Sequence, residues 1–167
     1  MALTGLSGST AASMNIKITD DNYNKPSETI NQPVNQSYSF GTGAGQVDLA
    51  YSAELTIAPS ATTSLDLDAG TLEDLFGNAL PFVNVKAIRI QHASDSAASS
   101  INLQGDYMTT NFGASFSIVY PPGGYFDISE ASAGFAVVAS TGDAIDLVNN
   151  DGSNSATVSV ELLGTSV

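Results

Sequence analysis

Apolar and polar residues alternate along many short stretches of this chain, and clusters of Gly, Pro, Asn, Asp and Ser separate these stretches. Alternation at every second position indicates a β-strand with one buried face, whereas the clusters are typical of tight turns. The alternating stretches lie at residues 14–18, 47–57, 64–68, 82–91, 100–103, 114–120, 134–138, 144–148 and 156–162. Short strands at this spacing predict an all-β fold, an antiparallel β-sandwich with a jelly-roll-like topology.

Two local patterns add detail to this prediction. Within 82–91, Val83 and Val85 are followed by Ile88 and Ile90, so the apolar positions change parity in the middle of the strand. Such a change predicts a β-bulge or burial on both faces. At 150–152, the sequence Asn-Asp-Gly stands between two apolar stretches and predicts a hairpin turn, because these residues tolerate positive φ.

Residues 71–77 have a helical pattern instead. Thr71 offers a hydroxyl cap, acidic residues follow in the first turn, and Gly77 can end the helix. Leu72, Leu75 and Phe76 would share one face of that helix. We therefore expect a short helix of one or two turns that plugs one end of the sandwich.

The N-terminal region differs from the rest of the chain. Residues 1–13 are small and polar, which is typical of a flexible leader, and the short strand at 14–18 follows. Residues 19–36 are polar, contain two prolines and have no periodicity, so they predict an extended arm or a long loop. The chain is thus predicted to have an N-terminal arm, residues 1–36, and a single β-sandwich domain, residues 37–167.

The composition is acidic and poor in charged residues of either sign. Charged residues make up 13% of the chain, and 17 acidic against 4 basic residues give a net charge of −13. No Lys or Arg follows Arg89. Such a surface repels phosphate backbones and anionic lipids, so we predict no direct nucleic-acid binding and no membrane binding. The charge favours solubility, although docking on a basic partner or binding of cations would use it as well.

The chain also lacks several features that would change its class. It has no cysteine, which excludes disulfides and zinc–thiolate sites. Its first residues lack the basic and apolar regions of a signal peptide, and no stretch approaches 18 consecutive apolar residues. We expect synthesis in the cytoplasm without export by the standard route.

Candidate catalytic groups are few. His92 is the only histidine, no Gly-x-Ser-x-Gly motif accompanies it, and we expect it to be a strand-end residue without a catalytic role. Asp66 and Asp68 alternate with leucines, so they are expected to share the solvated face of a strand rather than to form a glycosidase pair. We predict that the protein is not an enzyme.

Two loops match known ligand-binding motifs only in part. Residues 149–154 supply oxygens and a glycine as in a calcium loop, but the alternating acids and the terminal Glu are missing. Residues 41–45 are rich in glycine but lack the lysine and the helix of a phosphate-binding loop. We interpret both as turns and predict no cofactor and no metal.

Several segments carry a resemblance to a known class of proteins. They are residues 41–50, 64–70, 75–78 and 82–90, and then 122–125, 134–138, 142–147 and 156–164. Over residues 38–164 the chain resembles small virion proteins of tailed bacteriophages. In those proteins a Leu-Asp-Leu strand, a Leu-x-Gly-Asn plug, a strand similar to Val-Lys-Ala-Ile and a terminal strand ending near Gly recur in this order. The resemblance implies a capsid decoration (cement) protein, or a related head or tail accessory protein, at the virion surface.

This resemblance also implies the partners: the chain itself, commonly as a homotrimer, and the major capsid protein. An N-terminal arm could reach a neighbouring subunit or the capsid by adding a strand to an exposed sheet edge. The candidate interaction residues in the arm are Met14, Ile16, Lys17, Ile18 and Lys25.

Two other functions stay open at this point. A receptor- or glycan-binding module of a fibre or cell surface would present an exposed aromatic cluster, for which Tyr107, Phe112 and Tyr125 are candidates. A tail-tube or other major virion subunit would assemble into rings or tubes in solution, whereas a decoration protein would form discrete trimers.

Overall fold

A computed structural model describes residues 8–18, 28–74, 76–94 and 99–167, with 8–18 and 28–35 described by their backbone. The elements within these residues are β1 (Gly8–Ile18), β2 (Glu28–Phe40), β3 (Gln46–Val47), β4 (Leu49–Ile57), β5 (Thr62–Asp66), β6 (Asn84–His92), β7 (Ile101–Gln104), α1 (Asp106–Phe112), β8 (Ile118–Tyr120), β9 (Tyr125–Ser129), β10 (Phe135–Ala136), β11 (Ala144–Asn149) and β12 (Ala156–Thr165). The predicted all-β class is confirmed.

Two antiparallel sheets enclose the core. One has the order β4–β12–β6, with β9 and β10 both pairing with the other edge of β6, and the second has the order β5–β11–β7–β8. Alternate residues of the two central strands point inward: Val158 and Val160 of β12 and Ile145 and Leu147 of β11 are fully buried in one apolar cluster. The β-sandwich is thus confirmed, and its finer assignment to the jelly rolls stays a prediction.

The parity change within β6 marks a β-bulge. Leu163 of β12 pairs with Ala87, but the next residue, Gly164, pairs with Val85, so Lys86 is left without a partner across the ladder. The four residues from Val85 to Ile88 are all buried, which means that β6 is covered on both faces here. The predicted bulge and the predicted burial on both faces are both confirmed. The bulge turns the Lys86 side chain out of the normal alternation.

The helix predicted at 71–77 is wrong. Glu73 forms an isolated bridge with Ala79, and the Asp74 carboxylate accepts hydrogen bonds from the Phe76 N–H and from the backbone and side chain of Asn78. An aspartate that captures nearby N–H groups stabilises a turn in place of a helix. Phe76 is 75% exposed, so it does not plug the sandwich.

Among the described residues the helix is α1, which the sequence pattern does not indicate. It has seven residues, of which Tyr107 and Met108 are buried, so it is too short for an apolar periodicity to stand out. A turn at residues 114–115 follows the helix, so the strand predicted at 114–120 is limited to Ile118–Tyr120. No helix among the described residues is long and apolar enough to cross a membrane.

The turn at 150–152 does not close a hairpin, contrary to the prediction. β11 pairs with β5 and β7, whereas β12 pairs with β4 and β6, so the turn carries the chain from one sheet to the other. The Asn149 side-chain amide donates to the carbonyls of Ile57, Ala58 and Asn154. These contacts bind the turn to the end of β4 and allow the change of sheet.

The N-terminal region contains more strand than its sequence pattern indicates. β1 begins at Gly8, within the predicted leader, and residues 28–36 of the predicted loop belong to β2. The apolar residues Ile30, Val34 and Tyr38 occur only at every fourth position, so the alternation that marks a strand is half filled. The predicted boundary between residues 36 and 37 falls inside β2, and residues 1–7 and 19–27 lie outside the described residues.

Candidate functional site

β1 and β2 form an antiparallel hairpin that contains most of the predicted interaction residues. Ile16 pairs with Ile30 and Lys17 pairs with Thr29. Directly paired residues share one face of a hairpin, and neighbouring residues lie on opposite faces. Met14, Ile16 and Ile18 therefore lie together, Lys17 lies on the opposite face, and Lys25 lies outside the described residues.

The register gives the two faces very different compositions. We call the first the apolar face, because Ala12, Met14, Ile16, Ile18, Ile30, Val34 and Tyr38 belong to it, together with the polar residues Thr10, Glu28, Gln32 and Gln36. The opposite, polar face carries Ser9, Ala11, Ser13, Asn15, Lys17, Thr29, Asn31, Pro33, Asn35 and Ser37. The alternation at 14–18 indicates half of the apolar face, but its other half depends on the pairing with β2, which the sequence does not specify.

The hairpin also has an open edge. β1 is the terminal strand of the sheet β1–β2–β3, so within the described residues one of its two edges has no strand partner. This edge extends over 11 residues, Gly8–Ile18, and contains no proline. An uninterrupted open edge presents N–H and C=O groups to which another strand can be added.

The base of the hairpin is anchored to the sandwich by Tyr38. Its ring is 4% exposed and packs with Val47 and Ala87. Its hydroxyl donates a hydrogen bond of 3.0 Å to the carbonyl oxygen of Lys86, and burial raises the pKa of this phenol. Next to Tyr38, Ser39 and Phe40 pair in parallel with Gln46 and Val47.

Lys86 lies beneath this base and holds two loops. It is 2% exposed, and its ammonium donates to the carbonyl oxygens of Gly43 at 2.7 Å and of Ser132 at 2.9 Å. The Glu130 carboxylate, whose pKa is lowered by N–H donors from Gly134 and Ser132, adds a negative charge nearby. The bulge of β6 therefore places a cation where the sequence pattern alone indicates only an irregular strand.

The glycine-rich loop 41–45 presents the Gly43 carbonyl to this cation, whereas a phosphate-binding loop presents N–H groups to its ligand. The N–H groups of its three glycines are engaged: Gly41 donates to the Val47 carbonyl, Gly43 to the Gln46 side chain and Gly45 to the Ala131 carbonyl. The loop is the turn between β2 and β3, as the sequence predicts.

His92 ends β6, at a strand end as predicted, but it has an unexpected neighbour. Its Nε2 lies 3.1 Å from the Ser99 hydroxyl, and both side chains are buried. Its Nδ1 and the Tyr120 hydroxyl have no hydrogen-bond partner within the described part of the chain. Burial lowers the pKa of His92. A histidine next to a serine can activate the hydroxyl as a nucleophile, but here both side chains are buried away from solvent.

Asp66 and Asp68 meet a third carboxylate that the sequence pattern did not indicate. One carboxylate oxygen from each of Asp66, Asp68 and Asp143 lies within 4.8 Å of the others. Burial, followed by the charges of Asp143 and Asp66, raises the pKa of Asp68. Carboxylate oxygens are the ligands that Ca²⁺ and Mg²⁺ prefer, so within the part of the chain that the structure describes this group has the donor chemistry of a cation site. The antiparallel pairing of β5 with β11 brings it together.

Donors of the loop 149–154 engage the carboxylate of Asp151. It accepts hydrogen bonds from the Ser153 N–H and from the backbone and side chain of Asn154, and these donors lower its pKa. This carboxylate therefore takes part in the turn between β11 and β12.

The three candidate aromatic residues do not form a surface cluster. Tyr107 is fully buried in the core, and Tyr125 is 69% exposed on β9. Phe112 is half-buried and packs against Phe116 and Phe135, with ring centroids 5.4 and 4.9 Å away. The prediction that these three residues form the exposed aromatic cluster of a glycan-binding module is therefore wrong.

No protein-family model matches this chain. A search of curated proteins likewise found no match.

Proposed function

We propose that this protein is a structural virion protein, a capsid decoration or cement protein that binds the outside of a bacteriophage head and stabilises it. The observation that carries the proposal is the open edge of β1 on a hairpin anchored to an acidic β-sandwich. The resemblance of residues 38–164 to small virion proteins of tailed bacteriophages supports it. The partners proposed are the major capsid protein and further copies of this chain, as a homotrimer.

Binding through β1 needs no catalytic group. A strand of the capsid protein would pair with the open edge, and backbone hydrogen bonds would supply the affinity. Each bond contributes a net of about 0.5–1.5 kcal/mol, so a few pairs give modest affinity per copy. Several hairpins of one assembly that bind the same shell together would add avidity.

The charge of the sandwich supports a location away from DNA. Residues 41–167 contain 14 acidic and 2 basic residues, a net charge of −12. Both basic residues make internal contacts: Lys86 with two carbonyls, and Arg89 with Asp127 at 2.6 Å and Glu161 at 3.9 Å. A body of this kind repels a packaged genome.

Co-sedimentation with candidate phage heads tests the proposal. Deletion of residues 1–20 removes β1, and we expect it to abolish capsid binding while the sandwich keeps its thermal unfolding transition. The matched control is deletion of residues 1–7, which leaves β1 intact and should leave binding unchanged. Undiminished binding after deletion of 1–20 would exclude the hairpin as the docking element. Discrete oligomers of a few copies would distinguish a decoration protein from a tail-tube subunit, which forms rings or tubes.

A further inference from the structure

We propose that His92 is a pH-sensitive switch between the two sheets of the sandwich: its uncharged ring packs at one end of the core, and protonation of the ring releases residues 118–124. We call residues 118–124, which are β8 and the turn after it, the β8 segment. His92 takes no part in the proposed function, so the switch and capsid binding are tested independently.

His92 lies where the two sheets meet. In β6 it is in register with Val158 of β12, and both residues are fully buried. Towards the other sheet, the hydroxyl of Ser99 lies 3.1 Å from the ring Nε2. The ring of Tyr120 in β8 stands at 70° to the imidazole, with 6.4 Å between the two centroids. One imidazole is therefore packed among side chains that belong to both layers of the sandwich.

These surroundings suit a neutral ring and not a charged one. A neutral imidazole has one N–H donor and one acceptor nitrogen, whereas a protonated imidazole has two donors and needs two acceptors. Nε2 has the Ser99 hydroxyl, but Nδ1 has no hydrogen-bond partner within the described residues. A buried charge that lacks a partner is far more costly than a buried neutral group. Protonation is therefore disfavoured as long as this end of the core stays closed.

The charged groups near His92 do not offset this cost. Tyr120 is the titratable side chain that faces the ring, and it stays neutral because burial raises its pKa. Arg89 and Glu161 are partly exposed on the outer face of the sheet, with 3.9 Å between their charged groups, and β7 contains no charged residue. The Asp151 carboxylate is engaged by donors of its own loop. None of these described groups supplies a counter-charge to an imidazolium.

Burial also lowers the pKa of His92, although the carbonyl groups of Pro121 and Tyr120 act in the opposite direction. The closed form therefore binds the proton less tightly than an exposed histidine does, and acid favours the open form. The stability that comes from the neutral ring is fully present above about pH 6.5, the ordinary histidine value, and is lost as pH falls from there through the folded pKa.

The β8 segment is the part around His92 that opens most easily. β8 is an edge strand of three residues that pairs with β7 alone among the described strands, and its Ile118 and Val119 are exposed. The turn is held to β6 by the His92 N–H, which donates to the Gly124 carbonyl, and by the Gly123 N–H, which donates to the His92 carbonyl. β12, in contrast, has ten residues and a strand on each side. Local opening occurs where few contacts must break, so protonation releases the β8 segment and leaves β12 in place.

Amide hydrogen exchange of the full chain at about pH 7.5 and about pH 5.5 tests this release, with each rate corrected for the intrinsic effect of pH. The lower value lies about one unit below the ordinary histidine pKa, so we expect the protection of the β8 segment to fall by up to about tenfold. The amides of β11, an inner strand of the sheet to which β8 belongs, are the internal reference and should keep their protection.

Two variants separate protonation of the ring from other effects of acid. Glutamine in His92→Gln stays neutral and can still hydrogen-bond to Ser99, whereas His92→Phe keeps a ring in the core. In both variants we expect equal protection of the β8 segment at the two pH values. Asp68→Asn removes a carboxyl of raised pKa, and Asp95→Asn removes the carboxyl close to His92 in sequence, which lies outside the described residues. Both of these controls should keep the wild-type response.

NMR gives a direct reading in the wild type, because the chain contains a single histidine. We expect the ring signals of His92 to show protonation only as the β8 segment opens. If the ring titrates at its ordinary pKa while the β8 segment stays protected, the closed core accepts the charge and His92 is not a switch.

Three exchange results would also overturn the proposal. If the His92 variants lose protection in acid as the wild type does, or if Asp95→Asn abolishes the response, another group is responsible. If β11 loses protection in parallel with the β8 segment, acid unfolds the whole domain and not one segment. If the wild type keeps the same protection at both pH values, no release takes place.

Discussion

At the scale of single residues, Lys86 joins the hairpin to the sandwich. Its backbone carbonyl accepts from Tyr38, and its ammonium donates to Gly43 and Ser132. A buried ammonium is stable only when its donors are used, because an unpaired charge in the interior is costly. The side chain of Lys86 therefore fixes the loop after β2 and the loop after β9, and its backbone carbonyl holds the residue at the base of the hairpin.

Lys86→Met tests this arrangement. The variant leaves the carbonyls of Gly43 and Ser132 without their donor and removes the cation near Glu130. We expect the free energy of unfolding to fall by about 2–4 kcal/mol, as for other broken buried charge contacts. Urea unfolding measures it, with Lys17→Met on the hairpin as the control. A loss equal to that of the control would contradict the role assigned to Lys86.

The carboxylates of two turns give opposite pH effects. The pKa of Asp68 is raised, so the folded chain holds this proton more tightly than the unfolded chain does, and ionised Asp68 destabilises the fold. We expect Asp68→Asn to raise the melting temperature at pH 7, with the gain fading as pH falls through the Asp68 pKa.

Asp74→Asn is the matched control for this prediction. Hydrogen bonds from Asn78 lower the pKa of Asp74, so its ionised form stabilises the fold. That stability is present above the ordinary carboxyl pKa and is lost as pH falls through the folded value. The variant should therefore melt lower than the wild type at pH 7. Melting curves are measured between pH 3 and 7. If Asp68→Asn and Asp74→Asn shift the melting temperature of the wild type in the same direction, the opposite effects assigned to the two carboxylates are refuted.

At the scale of elements, the alternating pattern predicted the strands that are buried on one face. β11 alternates strictly between buried and partly exposed residues, β12 alternates between buried and more exposed residues up to Gly164, and the bounds of both differ from the predicted ones by a few residues. β2 was missed because its order comes from hydrogen bonding to β1 and not from a filled apolar alternation. The sequence around Asp74 predicts a helix in place of the observed turn because the same residue types cap helices and stabilise turns.

Gly164 lies beside the bulge and tests the close approach of β6 and β12. A Cβ atom there would collide with the Asn84 carbonyl oxygen and lie 2.6 Å from a ring carbon of Phe82. We expect Gly164→Ala to lower the free energy of unfolding by about 1–3 kcal/mol, the usual cost of overpacking. Gly152→Ala is the control, because its Cβ would be 3.8 Å from the nearest atom. Equal denaturation midpoints for the two variants would contradict this packing.

At the scale of the whole molecule, charge is separated between two parts of the chain. Residues 41–167 carry −12 and the strands β1 and β2 carry no net charge, so copies that associate as proposed would repel each other through their sandwiches. The sequence shows the charge imbalance directly. It does not show the apolar face or the Asp66, Asp68 and Asp143 cluster, since both depend on which strands pair and in which register.

This separation predicts the effect of salt on self-association. Raising ionic strength from about 0.01 to 0.15 M shortens the screening length from roughly 30 to 8 Å, which weakens the repulsion between acidic bodies. We expect the dissociation constant of the wild-type assembly to decrease over this range, as measured by sedimentation equilibrium. Weaker association at higher salt would indicate that ionic attraction holds the copies together.

The short parallel pairing of β2 with β3 has a mechanical consequence. Only residues 41–45 separate the two strands, so their pairing is limited to Ser39–Gln46 and Phe40–Val47. A force on a hairpin held by a neighbour therefore reaches the sandwich through these two pairs and through the contact of Tyr38 with Lys86. Because Lys86 belongs to a central strand, the pull is transferred to the middle of the sheet. In single-molecule pulling on the hairpin, Tyr38→Phe, which removes the hydroxyl that donates to the Lys86 carbonyl, should detach it at lower force, and an unchanged detachment force would place the mechanical anchor elsewhere.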